Sequence, residues 1–170
     1  AQMPVDIEKK SETTRESLKQ SLMSTPFDIE YTSQFNSQAG QASGQLIGGN
    51  LSVLYSVLGS EPVPNFQDKI LCLEDLDEYL YHIDRMLLSL QRQGLLKRLK
   101  GLIIGEMSDM NDNRVPFGHN AYEIINHYTK NLNIPIAYDC PVGHGFDNYA
   151  LTLGATIDLK VENNQVCIKY

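Results

Sequence analysis

Two short, unbroken apolar runs flank one strongly periodic stretch, and this arrangement limits the fold more than any other feature of the chain. Ile70-Leu71-Cys72-Leu73 and Leu102-Ile103-Ile104 are apolar at every position, as strands covered on both faces are. Between them Leu76, Leu80, Ile83, Leu87 and Leu90 recur at intervals of 4, 3, 4 and 3 residues, the stripe of an amphipathic helix, and Gly94 supplies a stop. The spacing predicts strand, helix, strand. Such a crossover joins parallel neighbours with a right-handed sense.

The same rhythm extends in both directions. Gln45-Leu46-Ile47 reads as a strand ending at Gly48-Gly49, with Asn50 as the N-cap of a helix running to about Leu58. Pro62 and Pro64 interrupt the chain before the next strand. An irregular stretch from Ser108 to Gly118 leads to a helix over about Asn120–Asn131. Ile134 to Tyr138 then reads as an edge strand, because Pro135 lacks an amide to donate.

The ends are more polar. Thr13 and Glu16 have the spacing of a capping box opening a helix over about Thr14–Met23, and Phe27 to Tyr31 alternates as a half-buried strand does. Ser33 to Ser43, rich in Ser, Gln and Gly, reads as a loop. Leu151–Leu159 and Gln165–Tyr170 alternate about Glu162-Asn163-Asn164, which predicts an antiparallel hairpin. The expectation is one α/β domain over residues 1–170, with a small parallel central sheet and a second, antiparallel sheet from the strands at both ends. A length of 170 residues suits one domain with a sizeable core.

Composition narrows the partners. Fourteen basic against twenty-one acidic residues give a net charge of −7, which disfavours nucleic acid, a ligand held by neutralising its phosphates. No apolar run approaches the roughly 18 residues of a membrane span, and the amino end has no signal-peptide core, so no membrane partner and a cytoplasmic location are expected. Cys72, Cys140 and Cys167 are odd in number and widely spaced, the pattern of reduced thiols rather than of disulfides or a zinc site. Ala1-Gln2-Met3-Pro4 has the look of a cut edge.

Chemistry is expected beyond the carboxyl ends of the parallel strands, where open α/β sheets bind ligands. Two segments reach that edge. One is Glu74-Asp75, directly after the apolar run; the other is Pro141-Val142-Gly143-His144-Gly145, in which glycines on both sides leave the imidazole uncrowded. A carboxylate and an imidazole converging there would form an oriented general base. The structural alternative is that Glu74 and Asp75 cap the following helix and His144 is a turn residue. His82, His119 and His127 lack metal-ligand spacing, and Gly44–Asn50 lacks the ending of a phosphate loop. No Gly-x-Ser-x-Gly elbow is present, and Ser52 reads as structural, so a base and its orienter stand without a nucleophile.

Gly48-Gly49-Asn50-Leu51-Ser52, Leu73-Glu74-Asp75-Leu76-Asp77-Glu78, Tyr81-His82-Ile83-Asp84-Arg85-Met86-Leu87, Gly143-His144 and Leu151-Thr152-Leu153-Gly154-Ala155 follow one another in the order found in the LD-carboxypeptidases, serine peptidase family S66. The chain resembles the C-terminal half of that family, which includes muramoyltetrapeptide carboxypeptidases and microcin C immunity proteins. Met3-Pro4 resembles the family's interdomain junction.

The resemblance implies a three-layer β/β/α module of the swivelling type. It implies a Ser-His-Glu triad shared between domains, with Glu74 and His144 as the catalytic pair here and the serine on an N-terminal domain absent from this chain. The chain alone is then expected to be inactive. The implied reaction is hydrolysis of the amide to a terminal D-amino acid, D-alanine, of a peptidoglycan-derived tetrapeptide, with no metal or other cofactor. The missing serine-bearing domain and a homodimer are the implied partners. Two alternatives remain: a microcin immunity-like peptidase acting on peptidyl or aminoacyl nucleotides, and a non-catalytic module that binds cell-wall peptides.

Overall fold

The computed structural model describes residues 7–23, 25, 27–61 and 64–170; Met3-Pro4 and Pro62 lie outside the described residues. The apolar run at 70–73 forms the middle of β3 (Lys69–Leu76), and that at 102–104 forms the start of β4 (Gly101–Ser108). They pair in parallel, and the helix between them, α3 (Leu80–Arg92), buries Leu80, Ile83, Met86, Leu87 and Leu90. The expected crossover is present, but α3 starts four residues late. Leu76 still pairs with Ser108, and Asp77 has a left-handed backbone, φ 58°, which no helix continues.

A single seven-stranded sheet runs β1-β7-β6-β2-β3-β4-β5, where β1 is Ile29–Thr32, β2 Gly40–Asn50, β5 Ile136–Ala137, β6 Thr156–Glu162 and β7 Gln165–Lys169. The expected second, separate antiparallel sheet is therefore corrected: the antiparallel strands continue the parallel ones. The joint is β2. Its residues 40–45 pair antiparallel with β6, and its residues 45–50 pair parallel with β3. Ser33 to Ser43, expected as a loop, is irregular up to residue 39, and residues 40–43 open that strand instead. Its Gly, Gln and Ser side chains give no apolar signal, and pairing with β6 makes it a strand all the same.

The sheet also curls. Leu159 of β6 sits so close over β4 that a Cβ on Gly101 would meet its Cδ2 at 3.1 Å. Ile157, Leu159, Val161, Val166 and Ile168 thereby pack with Leu46, Ile70, Cys72 and Ile103 in one apolar layer. On the other face, Leu71, Leu73, Leu102 and Ile104 pack against α3, α2 (Leu51–Val57) and α4 (Ala121–Thr129). The layers are antiparallel wing, parallel strands, helices, as a β/β/α module requires.

Local signals explain the remaining elements. Asn50 caps α2, accepting from Val53 N at 3.0 Å, and Asn120 with Glu123 closes a capping box on α4. The first helix, α1 (Glu12–Leu22), is capped by Ser11 rather than by Thr13, because the Ser11 hydroxyl reaches Thr14 N at 3.1 Å. Asn163 and Asn164, φ 49° and 64°, make the tight β6–β7 turn, as Asn tolerates the left-handed region. β5 is an edge strand, as Pro135 just before it predicted.

Candidate active site

Glu74 is third from the end of β3, where the strand's apolar run gives way to solvent, and it pairs with Asn50 of β2. Opposite it comes the loop after Tyr138, which brings His144 back over the strand ends. Their side chains meet: His144 Nδ1 stands 2.9 Å from Glu74 Oε2. The approach lies outside hydrogen-bond geometry, so this is a close polar contact, and Oε2 is buried without a hydrogen-bond partner among the described residues. The Glu74 side chain is 14% exposed and that of His144 44%. Burial raises the Glu74 carboxyl above the usual carboxylate range; His144 opposes that shift and Asp75 adds to it.

Both residues line a cleft of about 940 Å³, together with Gly48, Asn50, Val53 and Lys10. Because Nδ1 faces Glu74, Nε2 at the far side of the ring is left for the cleft. A carboxylate against one ring nitrogen, with the other free, is an arrangement that can serve as a base with its orienter. Among the described residues, no hydroxyl or thiol hydrogen-bonds to the His144 ring, and no group of three His, Cys, Asp or Glu could hold a metal ion.

Asp75 does something different from its neighbour. It is buried, accepts from Asn50 Nδ2 at 2.7 Å and from Ser52 N at 3.0 Å, and so ties the β2–α2 turn to β3. It caps α2, from the neighbouring strand, and not the helix that follows it. Ser52 is structural, its hydroxyl donating to Asn50 Oδ1 at 2.7 Å. The other histidines take local partners: His82 meets Glu78 at 2.8 Å and His119 meets Glu123 at 3.5 Å. Arg85 stacks over Tyr81, 4.8 Å from the ring centre.

The histidine loop is held by residues that spacing did not single out. Lys10 Nζ donates to the carbonyls of His144, at 3.1 Å, and Gly145. Thr14 Oγ1 accepts from Asn148 N at 2.8 Å and Ser17 Oγ from Ala150 N at 3.0 Å. Asn148 Oδ1 accepts from Gly143 N at 3.1 Å, and Glu106 accepts from Gly145 N. One signal for Glu106 was present in the sequence: like Glu74, it is an acid just after a buried apolar run.

Residues 43–159 match the family described as the LD-carboxypeptidase C-terminal domain. The chain belongs to that family. Among relatives of this LD-carboxypeptidase domain, a putative carboxypeptidase of Synechocystis is 35% identical over 116 residues, 66% of this chain and 38% of that protein. The murein tetrapeptide carboxypeptidase of Pseudomonas aeruginosa is 31% identical over 117 residues, 67% of this chain and 37% of that protein. The matched stretch covers well under half the length of each of these relatives. The crystal structure of a muramoyltetrapeptide carboxypeptidase from Oxalobacter formigenes superposes with a TM-score of 0.83 at 26% identity, covering 93% of this chain and 54% of that one. A microcin C7 self immunity protein shares the fold, with a TM-score of 0.75 at 21% identity over 99% of this chain and 57% of that one. Among the described residues no helix is long and apolar enough to cross a membrane.

Proposed function

We propose that this LD-carboxypeptidase domain supplies the general base and its orienting carboxylate for hydrolysis of the amide before a terminal D-amino acid in peptidoglycan-derived peptides. The observation that carries this reading is the 2.9 Å approach of His144 Nδ1 to Glu74 Oε2 at the mouth of the cleft. In the reaction, a serine hydroxyl from a domain outside this chain attacks the amide carbonyl while its proton passes to His144 Nε2. The tetrahedral intermediate collapses, the C–N bond breaks, and Nε2 returns the proton to the leaving D-amino acid. Water then attacks the acyl-enzyme, giving its proton to Nε2, and the serine recovers it on release. Glu74 stays ionised and holds the proton of the ring on Nδ1; a modest ring rotation aligns that N–H with Oε2, the tightening that substrate binding brings.

The partners on this reading are a muropeptide, a serine-bearing domain and a second copy of the protein, and the reaction runs in the cytoplasm. The chain alone is inactive, since base and orienter without a nucleophile leave no route to the acyl-enzyme. The test is D-alanine release from an L,D-tetrapeptide, measured for the full-length protein and for this chain alone. Release by the first and none by the second above buffer is expected. Turnover by the chain alone, or none by the full-length protein, sinks the reading.

A further inference from the structure

Glu74 and Glu106 are brought to one side of the sheet by an irregularity that alternation does not predict. In the β3–β4 pairing, Leu73 faces Ile104 but Asp75 faces Met107, so Gly105 and Glu106 together stand opposite the single residue Glu74. Strict alternation from Ile103, which packs on the wing side, puts Gly105 there and turns Glu106 to the helices. The bulge undoes this, and the Glu106 carboxylate reaches the histidine loop instead, accepting from Gly145 N and, at 3.4 Å, from Ser108 Oγ. β4 also holds the loop through its backbone, with Glu106 N donating to Val142 O at 2.8 Å.

The contact is close enough to dictate the loop's sequence. A Cβ on Gly143, φ 143°, would meet Glu106 Cβ at 2.9 Å, and a Cβ on Gly145 would overlap the Glu106 carboxylate. The glycines on either side of His144 are thus the space that Glu106 occupies. Lys10 grips the carbonyls of His144 and Gly145 from the amino-terminal side of the loop. The backbone of His144 is held between one anion and one cation.

We propose that Glu106 is a positioning residue for His144, fixing the loop through Gly145 N–H so that Nδ1 is presented to Glu74; this rests on the catalytic reading of His144 above. Glu106 touches neither the ring nor the cleft. It acts through two backbone groups.

The test reads the ring directly. In this chain labelled with nitrogen-15 histidine, neutral His144 should carry its proton mainly on Nδ1, against the Glu74 carboxylate. Glu106→Gln keeps an oxygen acceptor for Gly145 N–H and should keep that tautomer. Glu106→Ala should shift the population to that of Glu74→Ala, in which the acceptor itself is gone. Glu106→Asp, whose carboxylate falls short of Gly145, carries the same expectation and is the variant scored where Glu106→Ala does not fold. In the full-length protein, Glu106→Ala should lower kcat on the tetrapeptide by about tenfold to a hundredfold, as misplacing a catalytic group by about 1 Å does. KM should stay within about twofold, and Glu106→Gln within about threefold of the parent kcat. An unchanged tautomer in the shortened variants overturns the proposal, as does Glu106→Gln behaving like Glu106→Ala. Normal activity in His144→Ala overturns instead the catalytic reading, and leaves the tautomer result to stand by itself.

Discussion

Asn50 and Asp75 are hydrogen-bonded at 2.7 Å between neighbouring parallel strands, one strand's last residue held by the other's buried carboxylate. The consequence is a division of labour in Glu74-Asp75: alternation sends the first side chain to the cleft and the second to the start of α2. Asp75 fixes the rim, and Glu74 is free for chemistry. Asp75→Ala should leave Asn50 Nδ2 and Ser52 N without their acceptor and lower stability by about 1–3 kcal/mol in urea unfolding. An unchanged midpoint would show that water replaces the carboxylate.

His144→Ala in the full-length protein should cut D-alanine release by about three to four orders of magnitude or more, with the fold intact by circular dichroism. The loop backbone that carries His144 is held by Glu106, Lys10 and Asn148, none of which needs the ring. Loss of structure along with activity would contradict that independence.

Glu74 should cost the domain stability at neutral pH. Its carboxyl is raised in the folded state, chiefly by burial, so the folded protein holds that proton more tightly than the unfolded one. Stability from this group is then present in acid and lost as pH rises from the ordinary Glu value, about 4.3, through the raised folded value. Glu74→Gln should therefore be more stable than the parent at pH 7, by about 0.5–2 kcal/mol, while abolishing activity. The gain should vanish below about pH 4, where the parent is itself neutral at this position. Thermal melts at both pH values measure it, and a loss at pH 7 would mean that the ion pair with His144 outweighs the burial cost.

Thr14→Val and Ser17→Ala should loosen the histidine loop from its far side. Each removes the hydroxyl that accepts a loop amide, from Asn148 and Ala150 respectively. Amide exchange at those two positions should speed up by about tenfold to a hundredfold, the equivalent of about 1–3 kcal/mol per unmet bond. Exchange in α3, which shares none of these bonds, should not change.

A thiol reagent should label Cys167 well ahead of the other two cysteines. Cys72 and Cys140 are buried, and burial pushes the Cys72 thiol up to about 12 and raises that of Cys140, so neither forms the reactive thiolate. Cys167 is partly exposed beside Glu30. Mass spectrometry of the native protein after brief alkylation reports the order.

What sequence conveyed best was whatever depends on one segment at a time. The α3 stripe, the capping residue Asn50 and the Asn163-Asn164 turn are local, and each formed as its residues indicated, apart from a later start to α3. The extent of β2 was hidden because residues 40–45 become a strand only through β6, more than a hundred positions away. The pair Glu74–His144 was visible as two edge segments with the right chemistry, since parallel strands deliver their loops to one side. Glu106 carried only its place just after an apolar run; the side it faces was hidden, because a bulge between β3 and β4 has no signature in either strand alone. Nor were Thr14 and Ser17 visible, being ordinary surface-helix residues in sequence that end fully buried against the loop.

The wing joins the first strand to the last, Ile29 facing Ile168. During synthesis the strand and helix units from β2 to β4 can dock in order as they emerge, each neighbour being short-range in sequence. The wing has to wait. Until residues 156–169 are made, Leu46, Ile70, Cys72 and Ile103 keep an uncovered apolar face. A nascent chain stalled before β6 therefore displays a greasy sheet surface with Glu74 at its edge, a target for chaperones and proteases. Loss of the last fifteen residues should accordingly be felt as failure to accumulate rather than as a weakened enzyme.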